Sequence, residues 1–304
     1  MIEAIELTKQ YGKITAISQF SCKIENPAIV ALLGANGAGK STLMKILGCV
    51  LSPTSGQAFI GGYDILREPL KARHLFGYLP ETPCVYSDMK VNAYLHYMGI
   101  LKGIARNRIH ARIQCIMQDY ALTEVEKQKI SGLSRGYLQR LGLAQAMISD
   151  PPILIIDEPT AGLDPVQIIE TRQLLSRLGK NKIILISTHI LSEVEQLCNT
   201  VIVLHQGHVV LMGQLSQLLS QSDLILELGN TPSTWEYLHN IPGVNSIHFL
   251  KKNTLCFKVD NGCDPRVDIG YLCAKYGWPI LKMDYRRQNL EDLYIQVTKT
   301  EKVV

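Results

Sequence analysis

A short run of glycines around one lysine carries the first chemical signal in this chain: Gly34-Ala35-Asn36-Gly37-Ala38-Gly39-Lys40-Ser41-Thr42. Gly, four residues, Gly, Lys and then Ser or Thr is the spacing of a phosphate-binding loop. The glycines let the backbone turn tightly with no Cβ in the way, so successive N–H groups form an anion cradle where a helix begins. Lys40 is then expected to reach the outer phosphates and the Ser41 hydroxyl to hold Mg²⁺. The pattern predicts that the chain binds a nucleoside triphosphate. Asp157 and Glu158 end a fully apolar run, Ile153-Leu154-Ile155-Ile156, so their adjacent carboxylates point to different places. Asp157 suits the shell of the metal; Glu158 suits the orientation of an attacking water or the removal of its proton. His189 follows a second apolar run, Ile183 to Ser187, and is expected at the same edge, within reach of a γ-phosphate.

The elements that must position these residues follow from periodicity. Ile29 to Leu33 reads as a buried strand leading into the glycine loop. Thr42 to Val50 places Leu43, Ile46, Leu47 and Val50 on one helical face. Residues 2–33 read as short strands with turns at Tyr11-Gly12-Lys13 and Asn26-Pro27, Pro53 to Gly56 as a turn, and Ala58 to Ile60 as a strand. Residues 90–148 are helical in pattern apart from a polar break near Lys129 to Gly136, and Val201 to Leu204 is another buried strand. Alternating strands and helices imply a mostly parallel sheet with its chemistry at the carboxyl edge. Tyr11 reads from spacing alone as core rather than as a platform for a flat ligand. Ser134 reads as an N-cap, with Gly136 leaving backbone N–H groups unobstructed where the next helix starts. On its own, that is a plain capped helix.

Composition narrows the class. The chain has 304 residues, room for two domains, and a formal net charge of +4, too small and too dispersed to imply nucleic acid. Its eight cysteines are scattered with no CxxC spacing, which argues for reduced thiols in a cytosolic protein. The first seven residues alternate like a strand and lack a signal-peptide core. No apolar run approaches the ~20 residues of a membrane span, so any action at a membrane requires another chain to cross it.

Further motifs carry a family resemblance. Leu133-Ser134-Arg135-Gly136-Tyr137-Leu138-Gln139-Arg140 resembles the signature loop of ATP-binding-cassette (ABC) ATPases. Ile153 to Glu158 resembles their second nucleotide motif, and Ala161-Gly162-Leu163-Asp164-Pro165 and Thr188-His189 match the loops that follow. The resemblance covers about residues 1–217. The signature variant and Gly77-Tyr78-Leu79-Pro80-Glu81 look most like bacterial exporter ATPases of the gliding-motility and drug-efflux kind, which work with separate permease chains.

The resemblance implies a P-loop ABC cassette, an α/β fold of mixed sheet and helical subdomain, over residues 1–217, with a helical insert at about 87–150. It implies ATP and Mg²⁺ as ligands, Tyr11 stacked on adenine, and a third metal-shell position at Glu81 beside Ser41 and Asp157. It also implies a homodimer in which Ser134 and Gly136 complete the ATP site of the opposite subunit. Two departures stand out. Arg135 and Tyr137 replace the family's Gly and Gln, with Arg135 either an extra cation near phosphate or a solvent side chain. Glu81 replaces Gln and, when ionised, can only accept. In the insert, Tyr86, Met89, Val91, Tyr94, Leu95 and Met98 read mostly as helix core, with a subset open to a permease helix.

The tail from about 220 to 304 reads separately as β-α-β-β-α-β, with strands at Asp223 to Leu228, Ser246 to Leu250, Thr254 to Val259 and Pro279 to Asp284. Helices are expected at Pro232 to Asn240 and Asp264 to Tyr276, with a final one at Leu290 to Val297. That order suggests a small ferredoxin-like domain with no site residues. The expectation is an ATP-hydrolysing subunit of a membrane transporter, with export as the expected direction. It would sit in the cytoplasm, peripheral on the inner face of the cell membrane, beside a multi-span permease and without nucleic acid. Two other classes compete. A soluble ABC-type ATPase acting on ribosomes or nucleic acid usually carries two cassettes or a long coiled coil. A regulator without turnover would not need Lys40, Asp157, Glu158 and His189 together.

Overall fold

The computed structural model describes residues 1–219, 222–230, 235–260, 263–287 and 289–300. The chain divides into two compact units, Met1–Met212 and Gly213–Val304.

In the first unit, β1 (Ile2–Tyr11) and β2 (Ile14–Ile24) form a hairpin that continues into β3 (Ala28–Leu33) and α1 (Lys40–Leu47). Then come β4 (Ser55–Ile60), β5 (Tyr63–Asp64), α2 (Pro69–His74) and β6 (Phe76–Leu79). The helical part comprises α3 (Val91–Leu101), α4 (Arg106–Asp119), two 3₁₀ turns at Thr123–Val125 and Ile130–Gly132, and α5 (Arg135–Met147). It returns to β7 (Ile153–Asp157), α6 (Pro165–Gly179), β8 (Ile183–Thr188), α7 (Leu191–Leu197), β9 (Thr200–His205) and β10 (His208–Gln214).

Two sheets result. The larger has the order β10-β9-β3-β8-β7-β6, with β3 parallel to β8 and β9, β7 parallel to β8, and β6 parallel to β7. Its inner strands are apolar on both faces, as expected of a parallel sheet covered on both sides. The smaller sheet, β2-β1-β4-β5, is antiparallel. The periodicity showed its strands without showing that they form a sheet of their own. Ile2, Leu7, Ile17 and Phe20 from that sheet share one core with Leu43, Met44, Ile46 and Leu47 of α1. At roughly 1.5–3 kcal/mol per buried aliphatic side chain, α1 is fixed by packing rather than by its eight-residue length. The helix stops at Gly48, and Val50, expected on its buried face, is 63% exposed.

In the insert, Val91, Tyr94 and Leu95 are core, Met89 and Met98 are half-buried, and Tyr86 is exposed. Among the described residues no helix is long and apolar enough to cross a membrane.

The second unit contains α8 (Leu215–Leu218), β11 (Ser222–Leu228), β12 (Val244–Lys251), β13 (Thr254–Val259), α9 (Arg266–Tyr276), β14 (Ile280–Arg287) and α10 (Leu290–Thr300). Its sheet runs β12-β13-β11-β14 with every pair antiparallel. Leu224, Leu226, Leu228 and Phe257 pack on Ile269 and Cys273 of α9. The α-helix expected at Pro232 to Asn240 is instead a 3₁₀ turn at Trp235–Asn240 among the described residues, and residues 232–234 of that expectation lie outside them. Leu238 and Ile241 reach the core from this turn, and Trp235 packs edge-on against Phe249.

Candidate functional site

The glycine loop begins where β3 ends. Gly34 lies tight against β9: a Cβ there would come to 2.5 Å from the Leu204 carbonyl oxygen. Gly39, the residue before α1, has φ 105°, and a Cβ would stand 2.6 Å from the Ile17 Cδ1. Any larger residue would therefore push the loop off the β1–β2 hairpin. The first turn of α1 holds no acidic residue, so its N–H groups and partial positive charge remain open to an anion. A cavity of about 260 Å³ opens here, lined by Asn36, Gly37, Gly39, Lys40, Ser41 and Thr42. Its other walls are Ala16, Glu81, Glu158, Ala161 and His189. Ala38 is buried just behind, its carbonyl bonded to the Gly207 N–H at 3.1 Å.

Lys40 is 5% exposed, its ammonium donating to the Gly34 carbonyl at 2.7 Å and the Ala35 carbonyl at 3.2 Å, with Glu158 Oε1 at 3.8 Å. Burial pulls its pKa below the usual lysine value, and Glu158, Asp157 and Glu81 pull it back. Asp157 is buried at the end of β7, where it accepts from the Ser41 hydroxyl at 3.3 Å and from the Ser187 hydroxyl. Parallel pairing of β7 and β8 sets Asp157 directly beside Ser187.

Glu158, next in the chain, turns away because its backbone is left-handed, with φ 48°. Its N–H is shared between the Ser187 carbonyl at 3.2 Å and hydroxyl at 2.9 Å. Its carboxylate oxygens lie 3.0 and 3.1 Å from His189 Nδ1. A carboxylate can only accept, so Nδ1 carries the proton, leaving Nε2 as the second polar atom of the ring.

The residues that could hold a metal offer oxygen: the Ser41 hydroxyl, the Asp157 carboxylate and, along the same cavity, Glu81. Hard oxygen ligands of this kind suit Mg²⁺.

Other expected residues lie apart from this cavity within the chain. Tyr11 is 49% exposed, so the core reading is corrected; its ring carries Lys9 Nζ at 5.3 Å on the hairpin. Ser134 caps α5, accepting from the Tyr137 N–H at 3.4 Å. Gly136 is buried rather than open: a Cβ would meet the Gln167 side chain at 2.5 Å, so the missing side chain is room for Gln167. Arg135 is exposed to solvent, with its guanidinium beside Gly162. Tyr137 donates to Glu124 at 3.3 Å.

Three buried polar residues here had no assigned role from sequence. Ser187 bridges Asp157 and the Glu158 N–H; the one visible signal was a hydroxyl closing an otherwise apolar strand. Gln139 of α5 donates to the Pro159 carbonyl at 2.9 Å, tying the helix behind Ser134 to the loop after Glu158. Glu193 of α7 binds both Thr160 and Thr188.

Comparison with known proteins gives a consistent grouping. The family model described as ABC transporter matches residues 17–161. The ABC transporter ATP-binding protein YxlF of Bacillus subtilis (strain 168) is 32% identical over 302 residues, spanning 98% of this chain and 99% of that protein. The bacitracin transport ATP-binding protein BcrA of Enterococcus faecalis is 34% identical, spanning 72% of this chain and 70% of that one. Among solved structures, an ATP-binding subunit of an ABC transporter superposes with TM-score 0.67 at 30% identity, covering 72% of this chain and 91% of the other. A dimeric post-hydrolysis state of an ATP-binding cassette bound to ADP and Pi gives TM-score 0.65 at 25% identity, over 71% and 99%.

Proposed function

We propose, from the premise that this chain belongs to the ABC transporter ATP-binding proteins, that it hydrolyses ATP in the cleft around Lys40 to power export through a separate multi-span permease. The observation that carries this reading is the convergence of Lys40, Ser41, Asp157, Glu158 and His189 from three segments on one edge of a parallel sheet.

In this reading, the N–H groups of residues 36–42 cradle the β- and γ-phosphates, and Lys40 adds a fixed positive charge. Glu158 orients water in line with the γ-phosphate and accepts its proton. His189, held by Glu158 through Nδ1, offers Nε2 to a γ-phosphate oxygen. Ser41 and Asp157, with Glu81 beside them, would hold Mg²⁺, which when bound offsets the phosphate charge. Tyr11, exposed on the β1–β2 hairpin, serves as the adenine platform. Ser134, at the start of α5, serves the site of a second copy in a two-fold dimer, where the N-terminus of α5 faces the partner's triphosphate.

Residues 1–217 form the autonomous cassette, with residues 220–304 as an accessory domain. The insert faces the permease: Tyr86 is exposed and packs edge-on against Tyr94 and Tyr97, and Ile100 and Leu101 are exposed on the same helical segment. Relatives named for bacitracin transport, lantibiotic transport and linearmycin resistance support an antibiotic-type cargo, for which we take export as the direction. The protein then works at the inner face of the membrane, without nucleic acid. Affinity purification from detergent-solubilised membranes tests this reading. A multi-span protein is expected in the eluate, and ribosomes in its place would overturn the assignment.

A further inference from the structure

Behind the cleft lies a further carboxylate that the proposed chemistry does not use. Glu193, on α7, is 2% exposed. Its Oε1 accepts from the Thr160 hydroxyl, and its Oε2 accepts from the Thr188 hydroxyl at 2.8 Å. Thr160 stands two residues after Glu158, and Thr188 immediately precedes His189. Both threonines are buried, and the Thr188 oxygen also accepts from the Ile190 N–H at 3.1 Å. Arg172 of α6 brings Nη2 to 3.8 Å from Glu193 Oε1 and also bonds Gln196 on α7. One carboxylate thus joins the loop that carries Glu158, the strand end that carries His189, and the helix that Asp164 caps.

Burying a carboxylate is costly unless all its oxygens are occupied, and an apolar residue would fill the same space at lower cost. Here both oxygens are occupied, and by hydroxyls from the two segments whose separation sets the 3.0 Å contact between Glu158 and His189. Hydroxyl-to-carboxylate bonds are charge-assisted and short, so they fix the segments more tightly than aliphatic packing would.

We propose that Glu193 is a positioning residue for ATP hydrolysis: by gripping Thr160 and Thr188 it holds the Glu158 carboxylate and the His189 ring in register. The inference rests on the reading of Glu158 as the residue that activates water.

Five full-length proteins test it: the parent, Glu193→Ala, Glu193→Gln, Glu158→Gln, and Glu193→Ala placed on Glu158→Gln. Turnover, ATP affinity by titration and thermal midpoint are measured for each. Misplacing a catalytic group by about 1 Å costs about 10²-fold, so Glu193→Ala is expected to lower kcat by about that factor. ATP affinity should stay within about twofold, because the phosphate cradle is untouched. Glu193→Gln keeps one acceptor oxygen and the same shape, and should lose about tenfold in kcat, intermediate between parent and Ala. If Ala fails to fold, Gln alone decides the question. On the Glu158→Gln background, adding Glu193→Ala should change the residual rate by less than about twofold, since the residue acts through Glu158. Full kcat in both folded Glu193 variants beside an inactive Glu158→Gln overturns the positioning role and leaves the Glu158 reading standing. An undiminished loss on the Glu158→Gln background, or a parallel loss of ATP affinity, also overturns it. Parental turnover in Glu158→Gln overturns the reading of Glu158 and this inference together.

Discussion

At the carboxyl ends of β3, β7 and β8, three parallel strands release the chain at one edge, so the glycine loop, Asp157-Glu158 and His189 arrive at one cleft. In the second unit every neighbouring pair of strands is antiparallel, and loop residues are delivered alternately to opposite ends. Polar residues there pair locally instead. Asp264 takes the Arg266 guanidinium at 2.6 and 2.8 Å and the Tyr285 hydroxyl at 3.2 Å, and Asn245 donates to Asp260 at 2.6 Å. Both sheets bury leucines well. What differs is strand direction, and direction decides whether charges converge or are settled between near neighbours.

The sharpest way to break the comparison is to remove one carboxylate from the convergent edge. Glu158→Gln keeps the shape and the backbone bonds to Ser187 but loses the proton acceptor, and such losses cost about 10²–10⁴ in rate. If ATP bridges two copies, the variant should also accumulate as an ATP-bound dimer, visible by size exclusion with light scattering. Ser134→Arg added to it should abolish that dimer while the monomer still binds ATP through Lys40. A Glu158→Gln protein that stays monomeric at saturating Mg²⁺-ATP would move closure onto the permease.

A smaller effect is expected at Glu81, which lines the same cavity but is exposed and reaches Lys40 only through its field. Glu81→Gln should retain turnover, because the side-chain oxygen is kept and one negative charge is removed. Glu81→Lys places a cation beside the expected metal position and should lower turnover by about tenfold or more, most strongly at low Mg²⁺. A Mg²⁺ titration of steady-state ATPase checks both, and full activity in the Lys variant would remove Glu81 from the site.

How much of this was legible in the sequence depended on whether a role was local. Lys40, Ser41, Asp157 and Glu158 declare themselves because a loop spacing and a strand end are written within a few residues of each other. Ser187 and Glu193 do not, because their roles come from contacts between distant segments. One needs the β7–β8 register, and the other needs α7 to fold back beneath two threonines. Tyr11 and Val50 escape burial for a related reason: apolar spacing says which residues prefer burial, but Tyr11 stands exposed at the turn end of the hairpin and α1 stops before Val50. In the tail the strand positions were readable from alternation. The first helix shrank to a 3₁₀ turn because Leu238 and Ile241 reach the core from a single turn. Gly136 was read as open because sequence shows a missing side chain without showing that Gln167 fills the room.

The smallest effects belong to the antiparallel unit, and they test whether convergence is what matters. The Arg266 side chain, hydrogen-bonded to Asp264, holds that carboxyl down at about 2. A depressed carboxylate contributes stability above its unfolded pKa and loses it as pH falls through the folded value, here between about 4 and 2. The group is exposed, so solvent screening leaves that contribution small. Asp264→Asn should therefore leave ATPase turnover and ATP affinity unchanged, with a thermal midpoint that differs little from the parent at pH 7 and by still less as pH falls toward 2. The same logic predicts that residues 1–217 alone fold and bind ATP with an affinity within about twofold of the full chain, since no residue beyond 217 enters the proposed machinery. Circular dichroism and nucleotide titration of the shortened chain measure this. A molten product would show that the tail completes the core of the first unit. A folded product with lost ATP affinity, or an Asp264→Asn protein with reduced turnover, would show that the antiparallel sheet contributes to the cleft despite its locally paired charges.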